Sequence, residues 1–314
     1  MQVRILGSAA GGGFPQWNCA CSNCARQRAG KLHSRARTQT QVAISSIPNQ
    51  WYLLGASPDL LTQLAATPEL CPSAESSKSP VAGVILTSAD VDSVMGLLHL
   101  REFETFTIFS TPSIRRILQD ENSIFRVLER ARPRVEWRDL IPRQRITLNA
   151  ASPSSPPSSI QIIPIATHGS YPDYVSPALR STLPAAEASL ALRIEANGYA
   201  LFFAPALAVN AATHAALNDA RASDVVLLDG TFWTDTELQA THRSNKSARE
   251  IGHLPLSGRD GLLAHFDVGS SKTCRKILIH INNTNPIIDE DSPEYRAVRE
   301  AGWEIAYDGM SIDL

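Results

Sequence analysis

The sequence predicts an α/β chain with many strands. Two patterns carry this: short β-branched or aromatic runs recur from end to end, and stretches with apolar residues at i, i+3 and i+4 interleave with them. Composition is the third observation. Of 314 residues 43% are hydrophobic and 19% charged, a balance that favours a folded chain over a disordered one.

In chain order, strands are expected at Gln2–Leu6, Gln41–Ser45, Trp51–Leu54, Val81–Leu86, Thr107–Ser110, Ile160–Ile165, Ala188–Glu195, Leu201–Phe203, Val225–Leu228 and Lys276–Ile281. Most are bounded by Gly, Pro, Ser or Asn, the residues that end strands. Helices are expected at Pro58–Ala66, Asp90–Leu100, Ser113–Asp120, Asn122–Arg130, Asn210–Asp219 and Glu294–Glu300. Several of these open with Ser, Asp or Asn, whose side chains can accept from first-turn amides. Leu70–Pro80 and Ala150–Ser159 read as surface loops, the second holding five Ser and three Pro and little that could be buried. Strands of one type continue on both sides of it, so residues 1–314 are read as a single domain.

The 29 Lys+Arg and 31 Asp+Glu give a formal charge of −2, with no basic block. No electrostatic footprint for nucleic acid results. The N-terminus lacks the basic segment and apolar run of a secretory signal, so a cytoplasmic location is expected. The longest apolar stretch, Tyr199–Val209, contains Pro205 and is well short of the roughly 20 residues that cross a bilayer, so no membrane insertion is expected.

Five cysteines are present, three of them crowded at Cys19, Cys21 and Cys24 and two isolated at Cys71 and Cys274. An odd, clustered set reads as metal binding in a reducing compartment. Three thiolates within six residues can wrap a tetrahedral ion, zinc above all, in one turn. The rival reading, three buried apolar cysteines, sits poorly in a loop flanked by Asn18 and Asn23. A fourth ligand has to come from elsewhere in the chain.

A second constellation spans Leu86–Leu97, where a strand ends at Thr87 and a helix starts near Asp92. Asp90 and Asp92 fall at that corner and can converge on a ligand, or can act as ordinary helix-capping acids. Further along, Asp229-Gly230-Thr231, Gly252-His253-Leu254-Pro255 and His280-Ile281-Asn282-Asn283-Thr284-Asn285 each place a titratable group just past an apolar run. α/β proteins assemble sites at such strand ends. Asp229 also reads as a turn residue and His253 as a cap. His280 carries the stronger signal because the amides after it need partners, whereas His168, next to Gly169, is weaker. His33, His99, His214, His242 and His265 sit in no motif and read as surface or core residues.

The opening Leu6–Cys19, the stretch Asp229–Trp233, the turn Gly252–Pro255, the run Ile279–Pro286 and the ending Ala301–Met310 together resemble the PqqB family of coenzyme PQQ synthesis proteins. That family lies within the metallo-β-lactamase superfamily. The resemblance covers nearly the whole chain in order and implies an αββα sandwich, two mixed sheets face to face with helices outside. In the superfamily's His-x-His-x-Asp-His motif, Ser88 and Asp90 occupy the first two His positions. Asp92 keeps the Asp, Ser93 takes the last His, and Gly96-Leu97 completes the register.

A neutral hydroxyl at Ser93 is a poor ligand for a divalent transition metal. The resemblance therefore implies Asp92, His253 and His280 around one Fe2+, with Asp229 as an orienting group or a further ligand. Two His and one carboxylate is the ligand set of non-haem iron oxygenases. The implied activity is hydroxylation of the tyrosine ring in a Glu-Tyr precursor cut from the PqqA peptide. Asp90, Ser93, His168, Asn282 and Asn285 are the expected substrate-facing residues, and Asn283, His280 or a bound small molecule is the expected fourth ligand of the Cys19, Cys21, Cys24 zinc. The alternatives are a carrier of PQQ or its precursor toward the periplasm and a metallohydrolase of the same fold. Expected partners are PQQ or its precursor, other proteins of that pathway and a second copy of the chain.

Overall fold

The computed structural model describes residues 1–73, 78–102, 105–130, 135–148, 159–241, 244–267 and 274–314. His242, residues 74–77 of the first expected surface loop and residues 150–158 of the second lie outside them. Fourteen strands are present among the described residues: β1 (Gln2–Gly7), β2 (Gln41–Ile47), β3 (Gln50–Leu54), β4 (Val81–Ile85), β5 (Thr107–Ser110), β6 (Glu136–Asp139), β7 (Ile146–Leu148), β8 (Ile160–Ala166), β9 (Leu190–Ala196), β10 (Tyr199–Ala204), β11 (Val225–Asp229), β12 (Arg275–Ile279), β13 (Trp303–Ile305) and β14 (Met310–Asp313). They form two mixed seven-stranded sheets, ordered β14-β1-β2-β3-β4-β5-β6 and β13-β12-β11-β10-β9-β8-β7. The α/β class is as expected.

All ten strands expected from sequence are present. The four that the sequence reading leaves out, β6, β7, β13 and β14, are the outer strands of the two sheets. Edge strands are short and tolerate polar residues, as Glu136-Trp137-Arg138-Asp139 does, so they lack the apolar run that marks an inner strand. The helical stretches also differ in detail. Asp90–Leu100 becomes an α-turn, Val91–Val94, followed by a tighter 3-10 segment, Met95–Leu100. Ser113–Asp120 becomes Pro112–Arg115 followed by a π-turn, Arg116–Asp120. A helix at Ser22–Arg28 was not expected.

The chain divides into two compact units. Unit 1 comprises residues 1–6, 41–199 and 309–314, and unit 2 residues 7–40 and 200–308. In unit 1 a core of Leu53, Val84, Leu86, Leu97, Ile108 and Ile114, all fully buried, joins the inner strands β3, β4 and β5 to the helical segments beside them. Gly96 is fixed by crowding there: a Cβ would stand 2.2 Å from the Ser57 carbonyl oxygen.

In unit 2 the strands β10 to β13 run parallel. Leu201–Ala204, Val225–Asp229 and Ile277–Ile279 are buried throughout, the near-continuous apolar pattern of strands covered on both faces. The register pairs Asp229 with Ile279, so the chain leaves β11 and β12 at the same level, with Thr231 and His280 just beyond. Gly230 permits this closeness, since a Cβ would meet the Ile279 carbonyl oxygen at 3.0 Å.

Candidate metal centres

Among the described residues, two groups of side chains able to ligate a metal converge in unit 2: Cys19, Cys21 and Cys24, and Asp229, His253 and His280. In each, the ligand atoms lie within 4.8 Å of one another.

The thiol group is built at the start of the Ser22–Arg28 helix, which Cys21 caps and whose first turn carries Cys24. Cys19 and Cys24 are buried and Cys21 is half-buried. Asn283 sits against all three, its Nδ2 at 3.1 Å from Cys19 Sγ, 3.6 Å from Cys21 Sγ and 3.4 Å from Cys24 Sγ. Asn23 donates to the backbone oxygens of Asn283 and Asn285, at 3.1 and 2.9 Å, and so ties this loop to the helix. Burial pushes the Cys24 thiol up to about 11, and neighbouring Cys21 adds to the rise against the Asn283 amide, which lowers it. Three thiols gathered within one turn form a soft, sulfur-rich donor set. The donor set therefore fits zinc, with the Asn283 amide beside all three sulfurs and able to turn its oxygen inward as a fourth ligand.

The second group forms at the ends of β11 and β12. Asp229 is fully buried, and its carboxylate accepts four hydrogen bonds. Oδ2 takes the Leu207 N–H at 2.9 Å and His253 Nδ1 at 2.8 Å, while Oδ1 takes the Thr231 N–H at 3.0 Å and the Thr231 hydroxyl at 2.6 Å. Burial alone would raise its pKa. The charge of and hydrogen bond from His253, with smaller help from His280 and Thr231, outweigh this and hold Asp229 below the usual carboxylate range.

His253 stacks on His280, with ring centroids 5.3 Å apart and planes 19° apart, and Phe232 meets His253 edge-on at 5.7 Å. The His280 backbone has φ 61°, in the left-handed region, where a residue with a Cβ pays roughly 1–2 kcal/mol. Such strain is held in place by surrounding contacts and concentrates at functional sites. The two imidazoles, with the carboxylate behind His253, fit a divalent cation.

The amides after His280 pair within and beside their own loop. The hydrogen-bonding partner at His280 Nδ1 is Thr231 Oγ1, at 2.8 Å. Asn282 donates to the Thr284 hydroxyl, and Asn285, fully buried, donates to Gly230 O and Thr231 O at 2.9 and 3.2 Å. Asn285 thus shapes the loop between the strand ends. Thr231 is the residue that sequence reasoning passed over, although it stood inside a quoted motif two places after Asp229. Glu237 is another: nearly buried, it accepts from the Trp233 N–H at 2.7 Å and from the Thr284 hydroxyl, and burial pushes its pKa up to about 7.

Asp90, Asp92, Ser93 and His168 belong to unit 1. Asp90 is the residue before the Val91–Val94 helix and Asp92 lies in its first turn. The Ser88 and Ser93 hydroxyls are 3.4 Å apart. Ser88 forms a β-bridge to Ser189, whose Oγ meets the Thr167 hydroxyl at 2.6 Å and accepts from the Gly169 N–H at 2.8 Å. His168, exposed and with φ 51°, is thus held on both sides by one serine that also touches the acidic corner.

Residues 50–281 match the model of the β-lactamase superfamily domain. A coenzyme PQQ synthesis protein B from Ectopseudomonas mendocina is 40% identical over 315 residues, covering all of both chains. One from Klebsiella pneumoniae strain 342 is 38% identical over 314 residues, all of this chain and 98% of that one. A crystal structure of Zn2+-bound PqqB from Methylobacterium extorquens superposes with a TM-score of 0.87 at 34% identity, over the full length of both chains. The chain belongs to the β-lactamase superfamily and has its metallo-β-lactamase fold. Within that superfamily it belongs to the family of coenzyme PQQ synthesis protein B.

Proposed function

We propose that the chain works in PQQ biosynthesis as an iron-dependent oxygenase that hydroxylates the tyrosine ring of the PqqA-derived Glu-Tyr precursor. The names of its full-length relatives support the pathway. The stacked His253–His280 pair, backed by buried Asp229, is the observation that carries the enzyme reading. Iron, when bound, supplies the activation of dioxygen. One oxygen atom would enter the ring and the other leave as water, with two electrons from an external reductant and two protons from solvent. His253 and His280 hold the ion through Nε2, and Asp229 fixes the His253 ring by accepting from its Nδ1. The thiol group holds a structural zinc. For Asp92 the ligand role rests on its place in the superfamily motif, and loss of iron in Asp92→Asn is its test.

A carrier of PQQ or its precursor is the second reading, favoured by the Ser88–Ser93 hydroxyl contact where the superfamily places imidazoles. Metal analysis of anaerobically prepared protein separates the two. The oxygenase reading expects iron in addition to zinc, retained in a Cys19, Cys21, Cys24 triple variant and lost in His253→Ala. Zinc alone, with saturable PQQ binding and no iron uptake, would reject it.

A further inference from the structure

Thr231 Oγ1 stands at hydrogen-bonding distance from three groups: Asp229 Oδ1 at 2.6 Å, His280 Nδ1 at 2.8 Å and the His280 carbonyl oxygen at 2.9 Å. A hydroxyl has one proton to give and two lone pairs. The ionised carboxylate and the carbonyl can only accept, so the Thr231 proton goes to that side, most closely to Asp229. The remaining neighbour, His280 Nδ1, must then be the donor, because an unprotonated Nδ1 would set its lone pair against the hydroxyl oxygen.

We propose that Thr231 is a positioning residue that holds His280 as the Nδ1–H tautomer, so that Nε2 carries the lone pair and not the proton. Asp229 does the same for His253 directly, through Oδ2. One buried carboxylate thus sets both rings, the first by contact and the second through a hydroxyl. It follows that Asp229 orients instead of ligating, since its roughly four lone-pair sites already take Leu207 N–H, Thr231 N–H, the Thr231 hydroxyl and His253. Hydrogen bonds of this kind behind a ligating histidine ordinarily govern metal affinity. The use of the Nε2 lone pair rests on the metal-site reading above, whereas the tautomer does not.

The test is ¹⁵N NMR of histidine-labelled full-length protein before iron is added, with the His280 ring assigned by its loss in His280→Gln. Wild type and Thr231→Ser are expected to show His280 as Nδ1–H, and Thr231→Val, which keeps the shape without the hydroxyl, to lose that preference. Fe2+ titration should then show binding weakened by about 10- to 100-fold in Thr231→Val and restored in Thr231→Ser. An Nε2–H ring in wild type would overturn the proposal even if Thr231→Val failed to fold, as would an unchanged Nδ1–H ring in a folded Thr231→Val. Nδ1–H in wild type, lost in Thr231→Val, would sustain it even if neither protein took up iron, and only the oxygenase reading would then fall.

Discussion

Asn283 Nδ2 lies 3.1 Å from Cys19 Sγ while the same side chain also reaches Cys21 and Cys24. The amide therefore touches every sulfur of the group. Cys21→Ser is expected to lose about one zinc per chain and to lower the melting temperature, because assembling three thiolates without an ion is unfavourable. Unchanged zinc by atomic absorption would reject this.

Asn283→Ala should be milder. Three thiolates remain, so zinc stays bound, but competition with a chelator should show affinity reduced by about 10- to 100-fold. Affinity equal to wild type would show that the amide neither ligates nor stabilises the sulfurs.

Glu237 makes stability depend on pH in a defined direction. In the unfolded chain it titrates near its ordinary value of 4.5, and in the folded chain near 7. Between these values the folded state binds the extra proton, so stability falls as pH rises through the window and levels off above it, by roughly 3 kcal/mol in total. Glu237→Gln, a mimic of the protonated form, should flatten this slope. Urea midpoints of both proteins at about pH 5 and about pH 8 check it. An identical slope in both would exclude Glu237 as its source.

His280→Ala should abolish iron binding and hydroxylation, whereas His168→Ala, at an exposed position, should leave iron content intact. Equal losses in proteins of matched melting temperature would contradict this ranking. Ser93→His adds an imidazole at the superfamily's ligand position and is expected to raise iron occupancy. Under the carrier reading it should add no iron and weaken PQQ binding instead, so separate titrations with Fe2+ and PQQ decide.

The inner strands were legible in the sequence because burial on both faces demands long apolar runs, as in Val225–Leu228. The outer strands were not, since Trp303–Ile305 or Glu136–Asp139 has too few residues, or too many charges, to stand out. The thiol group was legible from local spacing, which needs only one turn of chain. Asp229, His253 and His280 were legible as residues but not as a hydrogen-bonded group. Their partners are set by parallel register, which pairs Asp229 with Ile279 across an interval of 50 residues, and no local pattern records that. Thr231 was overlooked for the same reason: a threonine after a glycine turn looks ordinary until His280 is seen 2.8 Å away.

The segment from Ile279 to Asn285 turns His280 toward one centre and Asn283 toward the other, and it is anchored from outside by Asn23 and internally by Asn285. Its length is thus a dimension the two centres share. A single residue inserted or deleted at 281 or 282 would throw both out of alignment at once, however conservative its chemistry. Transplanting either centre to another scaffold would likewise mean moving the whole segment with both of its anchors, so in engineering terms the two centres are one part.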